Sequence, residues 1–260
     1  MRTVAYMRGA NSPNNGFILA ALGPPPARVL DFGCGVGQWV ARARSCGYDA
    51  WGADAYPDRW LNNQGEIDTQ AQLHVSQIKN GHIPFGDDVF DAVVSNQVFE
   101  HVQPHLIYGS LSEIKRVLKP GGLFLAMFPT RDIWFEGHFG VYFPHWLCGW
   151  PALQLSYLKG CHALGFGYYR KNNAAEWATS NQADLTNGNI VYHTLDEVNS
   201  HWSQVFGHKP TCITAANMRF RLKSYYPPLE RMPAILDPVL KFIHTKRAGR
   251  ALLIRKAAPN

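Results

Sequence analysis

Short apolar runs alternate with amphipathic stretches in the first half of the chain. Residues 28–32 (RVLDF) lie between a run of three prolines and a glycine, and their composition is typical of a buried strand. Residues 38–46 carry apolar side chains at helical spacing. Residues 49–53 and 89–95 are further strand candidates, so the pattern predicts β-α-β-α-β.

A second helix and strand extend this pattern. Residues 104–118 carry an apolar stripe at spacings of four, three and four, beginning at Ile107, and the sequence KPGG follows. Residues 123–128 (LFLAMF) form a continuous apolar run, which is typical of a strand covered on both faces. We therefore expect an α/β fold with a doubly wound parallel sheet, in which ligands bind beyond the carboxyl ends of the strands.

The second half of the chain has a different pattern. Residues 129–192 are rich in aromatic residues, histidine and glycine without a strand period, which indicates an inserted and mostly helical cap. Residues 194–206 return to a helix, with Thr194 and Glu197 spaced as a capping box, and residues 211–215 and 251–255 are short strand candidates. We expect one domain over residues 1–260, divided into a core at 28–128, an inserted cap at 129–192 and a C-terminal part at 193–260 that completes the sheet.

Composition limits the class of protein. The chain has 260 residues, of which 46% are hydrophobic and 17% charged, as in a globular domain with a large core. Five cysteines without C-x-x-C spacing argue against a disulfide framework or a zinc knuckle, so we expect a reducing, cytoplasmic location. Apolar runs stay short of the roughly 18 to 20 residues that a membrane span needs, and neither a span nor a signal peptide is expected.

The positive charge is concentrated at the end of the chain. The formal net charge is +6, yet residues 209–260 hold eleven Lys and Arg against two acidic residues, and the rest of the chain is slightly acidic. A solvated face is the ordinary explanation. The interleaved Phe220, Tyr225, Tyr226 and Phe242 favour instead a contact surface for an anionic acceptor, an acidic membrane face or a partner subunit.

A glycine-rich loop joins the first strand to the first helix. The sequence DFGCGVG (31–37) allows a tight turn and a close approach of a ligand to the helix N-terminus. Gln38 stands where a dinucleotide fingerprint needs its third glycine, and a Walker lysine is absent from the sequence, which disfavours phosphate chemistry. Asp54 ends the next strand, where a carboxylate can accept both hydroxyls of a ribose.

Four stretches together resemble the class I S-adenosylmethionine-dependent methyltransferases, in particular the methyltransferase type 11 group and the ubiquinone-pathway enzymes. They are VLDFGCGVG (29–37), WGAD (51–54), IPFGDDVFDAVVSNQVFEHV (83–102) and EIKRVLKPGG (113–122). The resemblance implies a Rossmann-like, mostly parallel sheet of seven strands and S-adenosylmethionine as cofactor. The residues that it implies for cofactor binding are Asp31, Gly33, Cys34, Gly35, Gln38, Asp54, Ala55, Asn96 and Gln97.

Within this set the resemblance implies separate roles. The glycine loop wraps the methionine part, Asp54 holds the ribose, Ala55 lies next to the adenine, and Asn96 and Gln97 face the reacting centre. Many relatives have an acidic residue that contacts the adenine amino group, and here Lys79 stands at that position. Gln77, Asn80 or a backbone carbonyl can substitute for it.

The segment after the fourth strand carries the candidate base. Methyl transfer to a hydroxyl requires removal of its proton, and His101, beside Glu100, is our leading candidate because imidazole titrates near neutral pH. The alternative is that Glu100 and His101 only brace the following helix. The run from Gln97 to His101 also resembles the E-x-x-E-H metal motif of some O-methyltransferases. Gln97 replaces its first carboxylate with a weaker amide ligand, so we expect no metal site.

The cap begins with an aromatic segment, FEGHFGVYFPHWLCGW (135–150). Its rings can cover the pocket, but we expect most of them to form the cap's own core. Since burying two imidazoles requires two satisfied hydrogen-bond networks, we expect His138 or His145 to line the cleft, and both are candidate catalytic residues. If a metal ion binds after all, His138, His145 and His162 are conceivable extra ligands.

We therefore predict a methyltransferase that acts on a hydroxyl oxygen of a small molecule or glycan precursor. One alternative is an RNA methyltransferase that uses the basic C-terminal surface, although the sequence contains no recognisable RNA-binding module. Another is a cofactor-binding partner protein without catalysis.

Overall fold

A computed structural model describes residues 13–55, 74–170, 173–225 and 233–258. Its helices are α1 (Pro13–Ala21), α2 (Gln38–Ser45), α3 (Pro104–Val117), α4 (Pro151–Ala163), α5 (Ala174–Thr186), α6 (Leu195–Phe206), α7 (Thr214–Tyr225) and α8 (Asp237–Ala248). Its strands are β1 (Arg28–Phe32), β2 (Asp49–Asp54), β3 (Val75–Gln77), β4 (Phe90–Asn96), β5 (Leu118–Phe128), β6 (Phe135–Glu136), β7 (Val141–Tyr142), β8 (Thr211–Cys212) and β9 (Arg250–Arg255). Short 3₁₀ helices lie at Phe99–His101, Pro144–Leu147 and Ala234–Leu236.

Seven of the described strands form one sheet, in the order β3-β2-β1-β4-β5-β9-β8. Strands β1 to β5 pair in parallel, whereas β9 runs antiparallel to β5 and β8. The Rossmann-like, mostly parallel fold class is thereby confirmed. The strand order reverses between β1 and β4, so the crevice for a ligand opens at the carboxyl ends of these two strands.

Strand β5 is buried on both faces of the sheet. Its residues Phe124, Ala126 and Phe128 join a core with α3 and α6, where Phe124 stacks on Trp202 at 4.7 Å between ring centroids. The alternating residues Leu123, Leu125 and Met127 join the opposite core with α1 and α2. A strand whose two faces are both buried has no polar positions to alternate, which accounts for the continuous run LFLAMF.

The capping box predicted for α6 is present. The Thr194 side chain accepts a hydrogen bond from the Glu197 N–H at 3.2 Å, and the Glu197 carboxylate accepts one from the Thr194 N–H at 2.7 Å. We expect Thr194→Ala to lower the free energy of unfolding by about 1 kcal/mol, measured by urea denaturation followed by circular dichroism. The exposed Ser200→Ala on the same helix is the matched control, and an equal loss in both variants would contradict this explanation.

Several elements differ from the sequence predictions. The strand predicted over 211–215 stops at Cys212, because the Thr214 hydroxyl instead accepts a hydrogen bond from the Ala251 N–H and α7 begins there. The apolar pattern of the sequence does not predict α1, α7, α8 or the three-residue strand β3. Within the described ranges, helices stay below the length and apolarity that crossing a bilayer demands.

The cap contains more than helices. It begins with a hairpin of β6 and β7 and a 3₁₀ turn, and α4 and α5 follow. Its own core is built around Phe139, Leu158 and Trp177. Most rings of the aromatic segment do not belong to that core, since Trp146 is 45% exposed and Trp150 63% exposed. The interpretation of these rings as the cap's core is therefore wrong for most of them.

Candidate active site

The glycine loop lies directly against the segment that follows β4. Gly33 has a φ of +77°, and a Cβ atom on it would lie 2.4 Å from a methyl carbon of Val98. The Gly33 N–H donates to the Ala53 carbonyl at 2.7 Å, which ties the loop to the end of β2. Only glycine allows both this backbone conformation and the close contact. The carboxyl ends of β1, β2 and β4 therefore meet at one place.

Two buried carboxyl groups lie beneath this loop. Asp54 accepts a hydrogen bond from the Gly35 N–H at 2.9 Å and is 7% exposed. Asp31 is 6% exposed, and its pKa is raised well above the usual value, first by burial and then by the charge of Asp54. Burial, followed by the charges of both aspartates, also raises the pKa of the Cys34 thiol. A pair of acidic groups in this position favours a ligand that carries positive charge.

These residues fit S-adenosylmethionine, the cofactor that the sequence resemblance implies. The cofactor carries a sulfonium and an ammonium group, which match the acidic pair, and a ribose, which matches the carboxylate at the end of β2. The loop also offers backbone N–H groups at the start of α2, near Gln38. Asp31, Gly33, Gly35 and Asp54 are therefore the candidates for holding it.

The adenine end of the site is formed differently from the usual pattern. The Gln77 amide donates to the Ala55 carbonyl at 3.4 Å, so this side chain lies at the position expected for the adenine. Lys79 is exposed and pairs its backbone with His82 in a tight turn. Of the substitutes considered for the missing acidic residue, Gln77 is the one that the structure places beside Ala55.

The end of β4 is held by an element that the sequence did not predict. Asn14 donates to the Asn96 side-chain oxygen at 3.1 Å, and the Asn96 amide donates to Asn15 at 3.4 Å. Gln97 has a φ of +59°, a strained conformation that its N–H stabilises by donating to the Met127 carbonyl at 2.7 Å. Such strain is concentrated at functional sites. Helix α1 therefore contributes to the edge where the reacting centre is expected.

Two imidazoles from distant parts of the chain meet beside this edge. His101 ends the 3₁₀ helix after β4, and His138 lies in the loop between β6 and β7. Their Nε2 atoms are 3.3 Å apart and their rings are nearly perpendicular. Glu100 is fully buried, and one of its carboxylate oxygens lies within 4.8 Å of the ligand atoms of both histidines. The structure thus brings together three of the four candidate catalytic residues.

A buried carboxylate fixes the orientation of His138. Glu136 is fully buried and accepts hydrogen bonds from His138 Nδ1 at 2.6 Å, from the Tyr192 hydroxyl at 2.6 Å and from the Phe139 N–H at 2.7 Å. Burial alone would raise the pKa of Glu136, but these hydrogen bonds and the nearby His138 outweigh burial and lower it. Glu136 is therefore an ionised partner of His138.

The fourth candidate, His145, has a different role. It is 5% exposed, its Nε2 lies 3.1 Å from the Ile133 carbonyl oxygen, and its ring packs against Tyr192 at 4.8 Å. Burial lowers its pKa. An imidazole enclosed in this way does not meet an acceptor, so its assignment as a catalytic residue is corrected to support of Tyr192. Of the two cap histidines, His138 is the one that lies beside His101, and the expectation that a cap histidine lines the cleft stays a prediction.

The basic C-terminal residues are largely used within the fold. Lys246 and Arg250 both pair with Asp132, at 2.8 and 2.9 Å, and so attach the start of the cap to α8 and β9. The Arg247 guanidinium lies 3.3 Å from the ring centroid of Phe135. Three cations of the predicted contact surface therefore hold the cap in place, and the surface itself stays a prediction.

The aromatic residues interleaved with those charges differ in burial. Phe220 packs inward against Phe17 at 5.7 Å, whereas Phe242 is 50% exposed and lies against Trp134. The Tyr225 side chain, Tyr226 and Arg231 lie outside the described residues.

Known proteins resemble this chain in sequence. A family model described as a methyltransferase domain matches residues 6–204. An uncharacterized methyltransferase of Synechocystis is 31% identical over 100 residues, which are 38% of this chain and 46% of that protein. Another from Mycobacterium tuberculosis is 32% identical over 129 residues, 49% of this chain and 50% of that protein. The matches thus span about half the length of these two relatives.

Solved structures resemble the chain over most of its length at low identity. The geranyl diphosphate C-methyltransferase of Streptomyces coelicolor is 15% identical, with a TM-score of 0.46, and the match covers 94% of this chain and 75% of that one.

Proposed function

Because the chain belongs to the class I S-adenosylmethionine-dependent methyltransferases, we propose that it transfers the cofactor's methyl group to a hydroxyl oxygen of a small molecule or glycan precursor. The observation that carries the choice of a hydroxyl is the pair of imidazoles, His101 and His138, at the edge beside the glycine loop. A hydroxyl must lose its proton to become a good nucleophile, and a positioned imidazole is the usual acceptor for it.

The residues of the glycine loop bind and orient the cofactor. When bound, S-adenosylmethionine supplies an electrophilic methyl group on a sulfonium sulfur. Asp54 would accept hydrogen bonds from the ribose hydroxyls, and Gly33 would let the backbone approach the cofactor closely. Asn96 and Gln97, fixed by α1 and by Met127, border the reacting centre. Holding both reactants in line accounts for much of the acceleration in a displacement reaction.

His101 accepts the proton of the acceptor hydroxyl at Nε2. Its Nδ1 atom lies 2.7 Å from the Asn189 carbonyl oxygen, and this contact keeps the proton on Nδ1, so that Nε2 carries the lone pair. His138 shares that proton across 3.3 Å, and the ionised Glu136 behind it stabilises the positive charge. The arrangement follows the logic of a base that is oriented and stabilised by a carboxylate.

The exposed rings at the start of the cap suit an acceptor with an apolar face. Tyr142, Phe143 and Trp146 are each more than one third exposed and lie on the segment that leaves the sheet after β5. Aromatic faces stack on sugar or aromatic rings. This supports a small molecule or glycan precursor rather than RNA, since Lys246 and Arg250 are already bound to Asp132. A cytoplasmic location remains our prediction from the cysteine pattern.

A screen of acceptors tests the proposed function. The purified chain is incubated with S-adenosylmethionine and a panel of phenols, sugars, nucleotide sugars and structured RNA, and release of S-adenosylhomocysteine is measured. We expect turnover with a hydroxyl compound and none with RNA. Turnover with RNA alone would favour the alternative enzyme, and tight cofactor binding without turnover on any acceptor would favour a non-catalytic partner.

A further inference from the structure

The two imidazoles face each other through atoms that both carry lone pairs. His101 Nδ1 lies 2.7 Å from the Asn189 carbonyl oxygen, and His138 Nδ1 lies 2.6 Å from the Glu136 carboxylate. Carbonyl and carboxylate oxygens only accept, so each neutral imidazole keeps its proton on Nδ1. The two Nε2 atoms, 3.3 Å apart, then present lone pairs to one another. This arrangement is stabilised by a cation between them, which is either a proton or a metal ion.

The distance between these atoms matches a tetrahedral metal site. Zinc binds imidazole nitrogen at about 2.0 to 2.1 Å, and two such ligands at the tetrahedral angle lie about 3.4 Å apart. The observed separation is 3.3 Å, and a Glu100 oxygen lies within 4.8 Å of one ring nitrogen of each histidine. His101 is exposed while Glu100 is buried, so three protein ligands leave the fourth position on the solvent side. That is the ligand count of an accessible zinc site.

The surroundings also have the features of a metal site. Ligating histidines usually donate their other ring N–H to a carboxylate or a backbone carbonyl, and here Glu136 and Asn189 provide one of each. Glu100 and Glu136 place two buried carboxyl groups beside the pair, which favours a divalent cation. Two nitrogen ligands favour zinc, cobalt, nickel or copper over magnesium or calcium.

We propose that Glu100, His101 and His138 form a binding site for a divalent transition-metal ion such as Zn²⁺, which competes with the acceptor's proton for the two Nε2 lone pairs. The competition rests on the proposed function, because an ion bound there occupies the nitrogen that acts as the base. The existence of the metal site does not depend on the proposed function. The earlier expectation of no metal site depended on Gln97. The present group does not include Gln97, and it gains His138 from the cap.

Direct binding tests the site without any measurement of activity. Protein stripped with a chelator is titrated with Co²⁺, whose visible absorption distinguishes four-coordinate from six-coordinate ligation, and then with Zn²⁺ by calorimetry. We expect one ion per chain, a four-coordinate spectrum and displacement of Co²⁺ by Zn²⁺. We expect His138→Ala to weaken binding at least tenfold, and Glu136→Gln to weaken it about 10- to 100-fold. The exposed His105→Ala, on the neighbouring helix, should leave it unchanged.

Failure of the site and failure of the base are distinguishable. A wild-type protein that gives no four-coordinate cobalt spectrum would overturn the site, whether or not the variants fold. Once an acceptor is known, Zn²⁺ at concentrations that fill the site should inhibit turnover, and chelation should restore it. Acceleration by Zn²⁺ would leave the site in place and overturn His101 as the base.

Discussion

The His101→Ala variant should turn over about 100 to 10,000 times more slowly than the wild type, which is the contribution of a positioned general base. His101 is the more exposed member of the pair, and its ring nitrogen is within 3.3 Å of His138 Nε2. Its removal takes away the atom that receives the hydroxyl proton and leaves the glycine loop intact. The effect is therefore expected on kcat, with little change in the KM for S-adenosylmethionine. Steady-state kinetics in the presence of a chelator measures both.

A histidine on the adjacent helix provides the control. His105 is exposed in the first turn of α3, four residues beyond His101, and His105→Ala should keep the wild-type rate. If His101→Ala retains the full kcat, the alternative that His101 only braces the following helix is correct. If the KM for the cofactor rises as strongly as kcat falls, the variant has disturbed the loop and its loss of rate no longer supports a base.

The Asp54→Ala variant should bind S-adenosylmethionine about 1 to 3 kcal/mol more weakly, or about 5- to 150-fold, because buried polar groups lose their partner. Two contacts are lost together. The ribose hydroxyls lose the carboxylate, and the Gly35 N–H loses its acceptor at 2.9 Å. Calorimetric titration of the cofactor into the purified protein measures this difference.

Two further variants separate these contributions. Asp54→Asn keeps an oxygen for the Gly35 N–H but removes the charge, so its loss should be smaller than that of Asp54→Ala. Asp49→Asn lies at the other end of the same strand, is about half exposed and should bind the cofactor like the wild type. Unchanged affinity in Asp54→Ala would remove Asp54 from the cofactor site.

The cofactor side of the site could be predicted because its signals are local. The strand β1 lies between prolines and a glycine, and Asp54 ends the next strand, so spacing alone places them at one edge. Gly52 is a further example of a local constraint, because a Cβ on it would lie 2.5 Å from the Cys34 sulfur. Positions that are fixed by a tight turn or a close backbone approach leave a trace in the sequence.

The acceptor side could not be predicted in the same way. His138 meets His101 only because the hairpin of β6 and β7 folds back over the end of β4, and Tyr192 reaches Glu136 from 56 residues further along the chain. Contacts of this kind have no period or fixed spacing. The presence of Glu136 two residues before His138 was the one available signal. Helix α1 is not predicted because its buried and its less buried positions are almost equally apolar. The sequence therefore shows little amphipathic pattern there.

The position of the transferred methyl group shows whether oxygen, carbon or nitrogen is the acceptor atom. With S-adenosylmethionine labelled with ¹³C at the methyl group, the product that forms with an accepted substrate is examined by carbon NMR. We expect a resonance of a methyl group bonded to oxygen, formed by the wild type and strongly reduced with His101→Ala. A label bonded to carbon or nitrogen, formed at the same rate by both proteins, would contradict it.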